Sequence, residues 1–85
     1  MIKIFVKGGL MMTLGDAPLG AVVKVESIEE SPLKQRLMSM GVLPNTKVEI
    51  LRSALFDDPI AIRVRSYNLA IRRNDAKTVV VSPIN

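Results

Sequence analysis

Apolar and polar residues alternate over most of this chain, and one stretch changes to a helical period. Residues 2–7, Ile-Lys-Ile-Phe-Val-Lys, read as a short strand that Gly8-Gly9 interrupt. Met11 and Met12 follow, so residues 1–12 are expected to form an extension with an extra strand ahead of the domain proper, residues 13–85. Thr13 is placed to cap a single turn over Leu14-Gly15-Asp16, which Pro18 and Gly20 end. Over residues 21–28 the strand pattern returns, with Val23 and Val25 facing in and Lys24 and Glu26 facing out.

The helical stretch is SPLKQRLMSMG. Ser31 suits the N-cap, and Pro32 suits the first helical position, where its missing N–H costs nothing. Glu29 and Glu30 sit just ahead of the positive end of the helix dipole. Leu33, Leu37 and Met40 recur at i, i+4 and i+7 and make one apolar face. Gly41 fits the left-handed C′ position, Val42 can fold back onto Leu37, and Pro44 forbids continuation. Leu37→Ala is therefore expected to remove a buried side chain.

Short strands follow at close spacing, over residues 47–52, 60–65, 69–72 and 78–82. Pro44-Asn45 suits a turn, since Asn tolerates a left-handed backbone, and Asp57-Asp58-Pro59 marks a loop. Ser66-Tyr67-Asn68 reads as a tight connection between antiparallel strands. The inward residues read Val48/Ile50, Ile60/Ile62/Val64, Leu69/Ile71 and Val79/Val81. The fold class is mainly β, a small α+β domain: a closed five-stranded barrel with one short helix between its first and second strands.

Composition narrows the chemistry. The chain has 85 residues, room for a single core. It contains no cysteine and no histidine, which excludes disulfides, zinc fingers, iron–sulfur clusters and thiol or imidazole catalysis. Hydrophobic residues make up 48% with few aromatics, so the core is one of Val, Ile, Leu and Met. No window is apolar enough to span a membrane and the N-terminus lacks a signal-peptide pattern, so the expected location is cytoplasmic, without membrane insertion.

The stretch PIAIRVRSYNLAIRR carries Arg63, Arg65, Arg72 and Arg73 and no acid. Strand alternation puts Arg63, Arg65 and Arg72 on the outer face of one hairpin. Three readings compete. Arg is an ordinary choice for a solvated sheet face, where its stem covers apolar surface. Nucleic acid would reward the charge, but single-strand binders interleave aromatics with it, and only Tyr67 is near. A protein partner with an acidic face suits Arg through its bidentate geometry. Met38, just off the apolar helix face, and Leu55-Phe56 would add a small apolar patch on the helix side, or else close the barrel mouth.

Catalysis finds no nucleophile–base pair and no glycine-rich phosphate loop. The acid pairs Glu29-Glu30 and Asp57-Asp58 suit a helix dipole and a turn; as ligands they would hold only a weak divalent ion. The chain reads as a non-enzyme.

Taken in order, TLGDAPLGAVVKVESI, LKQRLMSMGVLPNTKVEIL and DDPIAIRVRSYNLAIRRNDAKTVVV resemble the ferrous iron transport protein A family, FeoA, over residues 13–81. The most specific pieces are Arg36-Leu37-x-x-Met40-Gly41, Pro44-x-Thr46, Asp58-Pro59-Ile60 and Tyr67-x-Leu69-Ala70-Ile71-Arg72 with Asp75-Ala76 beyond. Asn45 and Ser66 depart from the family pattern, each standing where Gly is common. The resemblance implies an SH3-like barrel and a small cytoplasmic accessory of a membrane ferrous iron permease with a cytosolic GTP-binding domain. On that basis the partner-binding residues are Arg36 and Met38 on the helix side, with Arg63, Arg65, Tyr67 and Arg72 on the arginine face. No cofactor is required, although a weak divalent transition metal, ferrous or manganous, has room to bind. Nucleic acid is not expected as a partner, and exposed strand edges leave room for weak homo-oligomerisation. A related barrel occurs in metal-responsive repressors resembling the diphtheria toxin repressor. The alternatives are therefore a nucleic-acid-binding barrel and a metal-sensing module of such a regulator.

Overall fold

The computed structural model describes residues 4–6, 9–52 and 58–84. Seven strands form one sheet: β1 (Ile4–Val6), β2 (Gly9–Thr13), β3 (Val22–Ile28), β4 (Lys47–Arg52), β5 (Ile60–Val64), β6 (Tyr67–Ile71) and β7 (Val79–Pro83). Their spatial order is β1-β2-β7-β3-β4-β5-β6, antiparallel at every described pairing. Among the described residues two α-helices accompany the sheet, α1 (Pro32–Ser39) between β3 and β4 and α2 (Arg73–Ala76) between β6 and β7.

The sheet curls round its own core. Register shifts between Val25 and Ser27 on β3, and between Ile50 and Arg52 on β4, mark irregularities of the kind that bend a strand. The molecule measures 30 × 26 × 25 Å, nearly as thick as it is wide, which a flat sheet of this size could not be. One face of every strand from β3 to β7 feeds a single cluster: Val23, Val25, Ile28, Val48, Ile50, Ile60, Ile62, Val64, Ile71, Val79 and Val81 are all buried. The inward rows expected from alternation are thus in place, with Leu69 half-buried rather than buried.

The expected strand count needs correction. Gly9–Thr13 form a strand that pairs with β1 on one side and with β7 on the other, through Met12↔Val81. Apolar Leu10, Met11 and Met12 run in sequence without alternation, so the period gave no signal there. Among the described residues no pairing joins β6 to the far end of the sheet.

α1 follows its caps. The Ser31 side chain accepts from the Leu33 N–H at 3.2 Å, and Pro32 opens the helix. At the other end Gly41, at φ 101°, donates to the Met38 carbonyl at 3.0 Å, while Val42 N–H donates to Leu37 O at 3.0 Å. Those two bonds are the Schellman pair, and Leu37 and Val42 are both buried beside them. Leu37 is the only described α1 residue fully in the core; Leu33, Met38 and Met40 are half-buried against it.

α2 was not foreseen. Its N-cap residue, Arg72, makes no side-chain cap, and the oxygen comes instead from Asp58, whose Oδ1 accepts from Arg73 N–H at 2.9 Å. Ala76 is fully buried. Leu14–Asp16 form the expected turn as a 3-10 helix packed close to α2; a Cβ on Gly15 would lie 3.1 Å from the Arg73 carbonyl. Thr13 stands at the N-cap of that turn, but its side chain accepts no backbone N–H there; Oγ1 donates instead to Asp16 Oδ2 at 2.8 Å.

Candidate docking surface

Among the described residues depressions lie on either side of the sheet, and Arg36, Arg63, Arg65 and Arg72 divide between two of them. The larger, about 430 Å³, lies on the outer face of β3, β4 and β5. Pairing register builds it, since Val22 lies opposite Glu49, Glu49 opposite Arg63, and Arg63 opposite Asn68. Residues directly opposite on one face are near enough to interact. Arg63 accordingly reaches Glu49 Oε1 at 3.5 Å and Asn68 Oδ1 at 3.4 Å, both from an exposed position. So open a pair contributes little to stability.

Lys47 and Arg65 complete the rim. Both are exposed, and among the described residues neither has a charged or hydrogen-bonding side-chain partner. Arg65 is not on the strand as alternation implied. Val64 pairs with Tyr67, so Arg65-Ser66 is a two-residue hairpin loop and Arg65 takes φ 57°. Such a loop favours glycine, and a left-handed backbone costs a side-chain-bearing residue about 1–2 kcal/mol. Asn45, at φ 70°, lines the same depression. Its N–H donates to Val25 O at 2.7 Å, and Thr46 O accepts from Val25 N–H at 2.9 Å, so this turn is tied to β3.

The smaller depression, about 230 Å³, runs between α1 and the β6–α2 corner. Leu33, Leu37, Met40 and Ile71 make its apolar floor, and Arg36, Arg72 and Asp75 stand on its rim. Arg72 therefore does not share a face with Arg63 and Arg65, because the chain leaves the strand at Ile71 and Arg72 is the N-cap residue of α2. Met38 lies outside both linings, half-buried against the core.

Tyr67 bridges the hairpin to the helix. Its hydroxyl donates to the Met40 carbonyl at 2.7 Å, satisfying the C-terminal end of α1. A Cβ on Gly41 would run into that hydroxyl. Sequence reasoning grouped Tyr67 with the arginines and missed this contact, which links positions 27 apart.

The acid pairs take separate tasks. Glu30 pairs with Lys34 one turn on, and Asp58 caps α2. Asp57, Leu55 and Phe56 lie outside the described residues. Among the described residues no three acidic side chains gather where a metal ion could be held, and no helix is long and apolar enough to cross a membrane.

Comparison with known proteins places this geometry. Residues 12–83 match the FeoA domain model. The chain is 33% identical to the FeoA-like protein of Clostridium acetobutylicum, with 88% of each chain covered and a TM-score of 0.80. It is 28% identical to the FeoA of Stenotrophomonas maltophilia, a prokaryotic SH3-domain protein solved with zinc, over 82% of this chain and 88% of that one, at a TM-score of 0.75. A manganese-dependent transcriptional repressor, solved with manganese, is 15% identical over 87% of this chain and 37% of its own, at a TM-score of 0.80; that likeness is one of fold.

Proposed function

The chain belongs to the FeoA domain family, which is associated with ferrous iron transport, and from that premise we propose that it docks on the cytosolic, GTP-binding part of a membrane ferrous iron permease. The observation that carries the reading is the family match over residues 12–83, nearly the whole chain. The Stenotrophomonas maltophilia relative has itself been put forward as a ferrous iron transport activating factor. The chemistry agrees with an accessory that binds rather than catalyses. The chain has neither cysteine nor histidine, and its free cations stand at the rims of shallow depressions, with no nucleophile–base pair between them. The docking residues are Arg63 and Arg65 on the sheet face, with Arg36, Met38 and Arg72 on the helix side and Tyr67 holding the two sides together.

The test is titration of the labelled chain with the purified cytosolic GTP-binding part of the ferrous iron permease from the same cell, at physiological salt. A short RNA and a short DNA serve as competitors. The reading expects saturable binding that neither nucleic acid displaces. Displacement by nucleic acid, with a steep fall in affinity as salt rises, would instead mark a nucleic-acid-binding barrel. Absence of binding would leave the family resemblance describing the fold alone.

A further inference from the structure

We propose that the cleft rimmed by Lys47, Arg63 and Arg65 is a carboxylate-binding site that takes a glutamate or aspartate side chain from an acidic peptide segment of a partner. The inference deepens the docking reading above and rests on it only for the identity of that partner. The opening is about 430 Å³, ample for a carboxylate side chain and its stem. Its cations are unequally engaged. Arg63 already holds Glu49 and Asn68, whereas Lys47 and Arg65 have no side-chain partner among the described residues.

Glu49 lowers the net positive charge of the cleft. Its carboxylate sits inside the cleft at 3.5 Å from Arg63, so one of the three positive charges is already countered. Two remain, which suits a singly charged carboxylate accepting from a guanidinium fork and an ammonium. A phosphate would meet the same Glu49 and the same two cations, so it is run as a competitor. Half-buried Val22 on the floor offers apolar surface to the methylene stem of an incoming Glu. Among the described residues no aromatic side chain lines the cleft, so none of them offers a nucleobase a ring to stack on.

Backbone strain points to the same place. Among the described residues, Asn45 and Arg65 are the non-glycine residues with positive φ, and both line this cleft. Strained residues persist where the surroundings over-determine them, and such sites are often functional. Glycine would relax the hairpin loop at position 65, and arginine stands there with its guanidinium on the rim.

That strain supplies a clean experiment. Arg65→Gly removes the guanidinium and eases the turn, so it lowers affinity without unfolding the chain. The full chain, labelled with nitrogen-15, is titrated with an acetylated and amidated tetraglutamate peptide while amide shifts are followed. A tetraglutamine peptide, inorganic phosphate and a short RNA are run in parallel. Saturable shifts centred on Lys47, Glu49, Arg63 and Arg65 are expected with tetraglutamate and not with tetraglutamine. Affinity should fall about tenfold in Arg65→Gly and in Lys47→Gln, as loss of one charge-assisted hydrogen bond implies. Lys77→Gln, at an exposed position that lines neither depression, should leave it unchanged.

Shifts spread equally over Arg36 and Arg72, or affinity untouched by Arg65→Gly and Lys47→Gln, would overturn the proposal. Tighter binding of phosphate or RNA at the same residues would overturn it too, by reassigning the cleft to a phosphate. Because the probe is a peptide, the result is distinct from the transporter titration: transporter binding with no peptide response places docking elsewhere on the molecule.

Discussion

On the helix side of the molecule, Arg36 and Arg72 stand over a floor that is itself core. Leu37 and Ile71 are buried there and belong to the same cluster as Val48 and Val81. On the sheet side, Lys47, Arg63 and Arg65 stand over half-buried Val22 and the outer face of three strands, with the core behind them. The first depression cannot be altered at its floor without touching stability. The second can be stripped of its charges while the strands that carry them keep their inward rows. A surface that is separable from the fold in this way is one whose binding role can be measured by itself.

The largest effect that breaks the contrast lies on the helix side. Leu37→Ala should cost about 2–5 kcal/mol, read by denaturant unfolding, since it opens a cavity beneath α1. That is a large share of the whole for a domain this small. An unchanged midpoint would mean that Leu37 does not carry the packing of α1. Gly41→Ala comes next, at about 1–2 kcal/mol for its left-handed backbone, with a further loss from displacing Tyr67. Asp58→Ala should cost about 1 kcal/mol by removing the acceptor for Arg73 N–H, and hydrogen exchange should show α2 opening first. On the sheet side the scale drops. Arg65→Gly should leave stability unchanged or raise it by up to roughly 1 kcal/mol, because the hairpin loop loses its strained residue.

The two sides were also legible to different degrees in the sequence. α1 announced itself through Ser31, Pro32 and Gly41, each acting within one turn of its own position. The inward rows of β3, β4 and β5 followed from period-two alternation, which holds wherever one strand face is buried. What escaped depended on contacts across long separations. α2 is capped by Asp58, 15 positions before Arg73, and four residues are too few to show a period. β2 carries apolar residues in a row, so nothing in its pattern marks a strand paired on both sides.

The arginines show why a face is harder to read than a core. Alternation from Ile60 runs without a break to Arg65, and it set Arg65 and Arg72 beside Arg63. Register decides otherwise: pairing of Val64 with Tyr67 turns the chain one residue early, and the corner after Ile71 carries Arg72 to the helix side. Ser66 drew notice as the residue in place of a common glycine, yet the left-handed residue is its neighbour Arg65. Tyr67 likewise looked like part of a binding face, while its hydroxyl is committed to the Met40 carbonyl.

The most direct test of the account is isothermal titration of the Arg63→Glu/Arg65→Glu double variant against the cytosolic GTP-binding part of the permease, with thermal unfolding run on the same sample. The account predicts binding at least about tenfold weaker than for the unaltered chain, since two rim charges are reversed. It predicts a midpoint within about 4 °C of the original, as for exposed substitutions in a domain of this size. Unaltered binding, or binding lost together with the fold, would contradict the claim that the sheet-side cleft is a docking surface separable from the core.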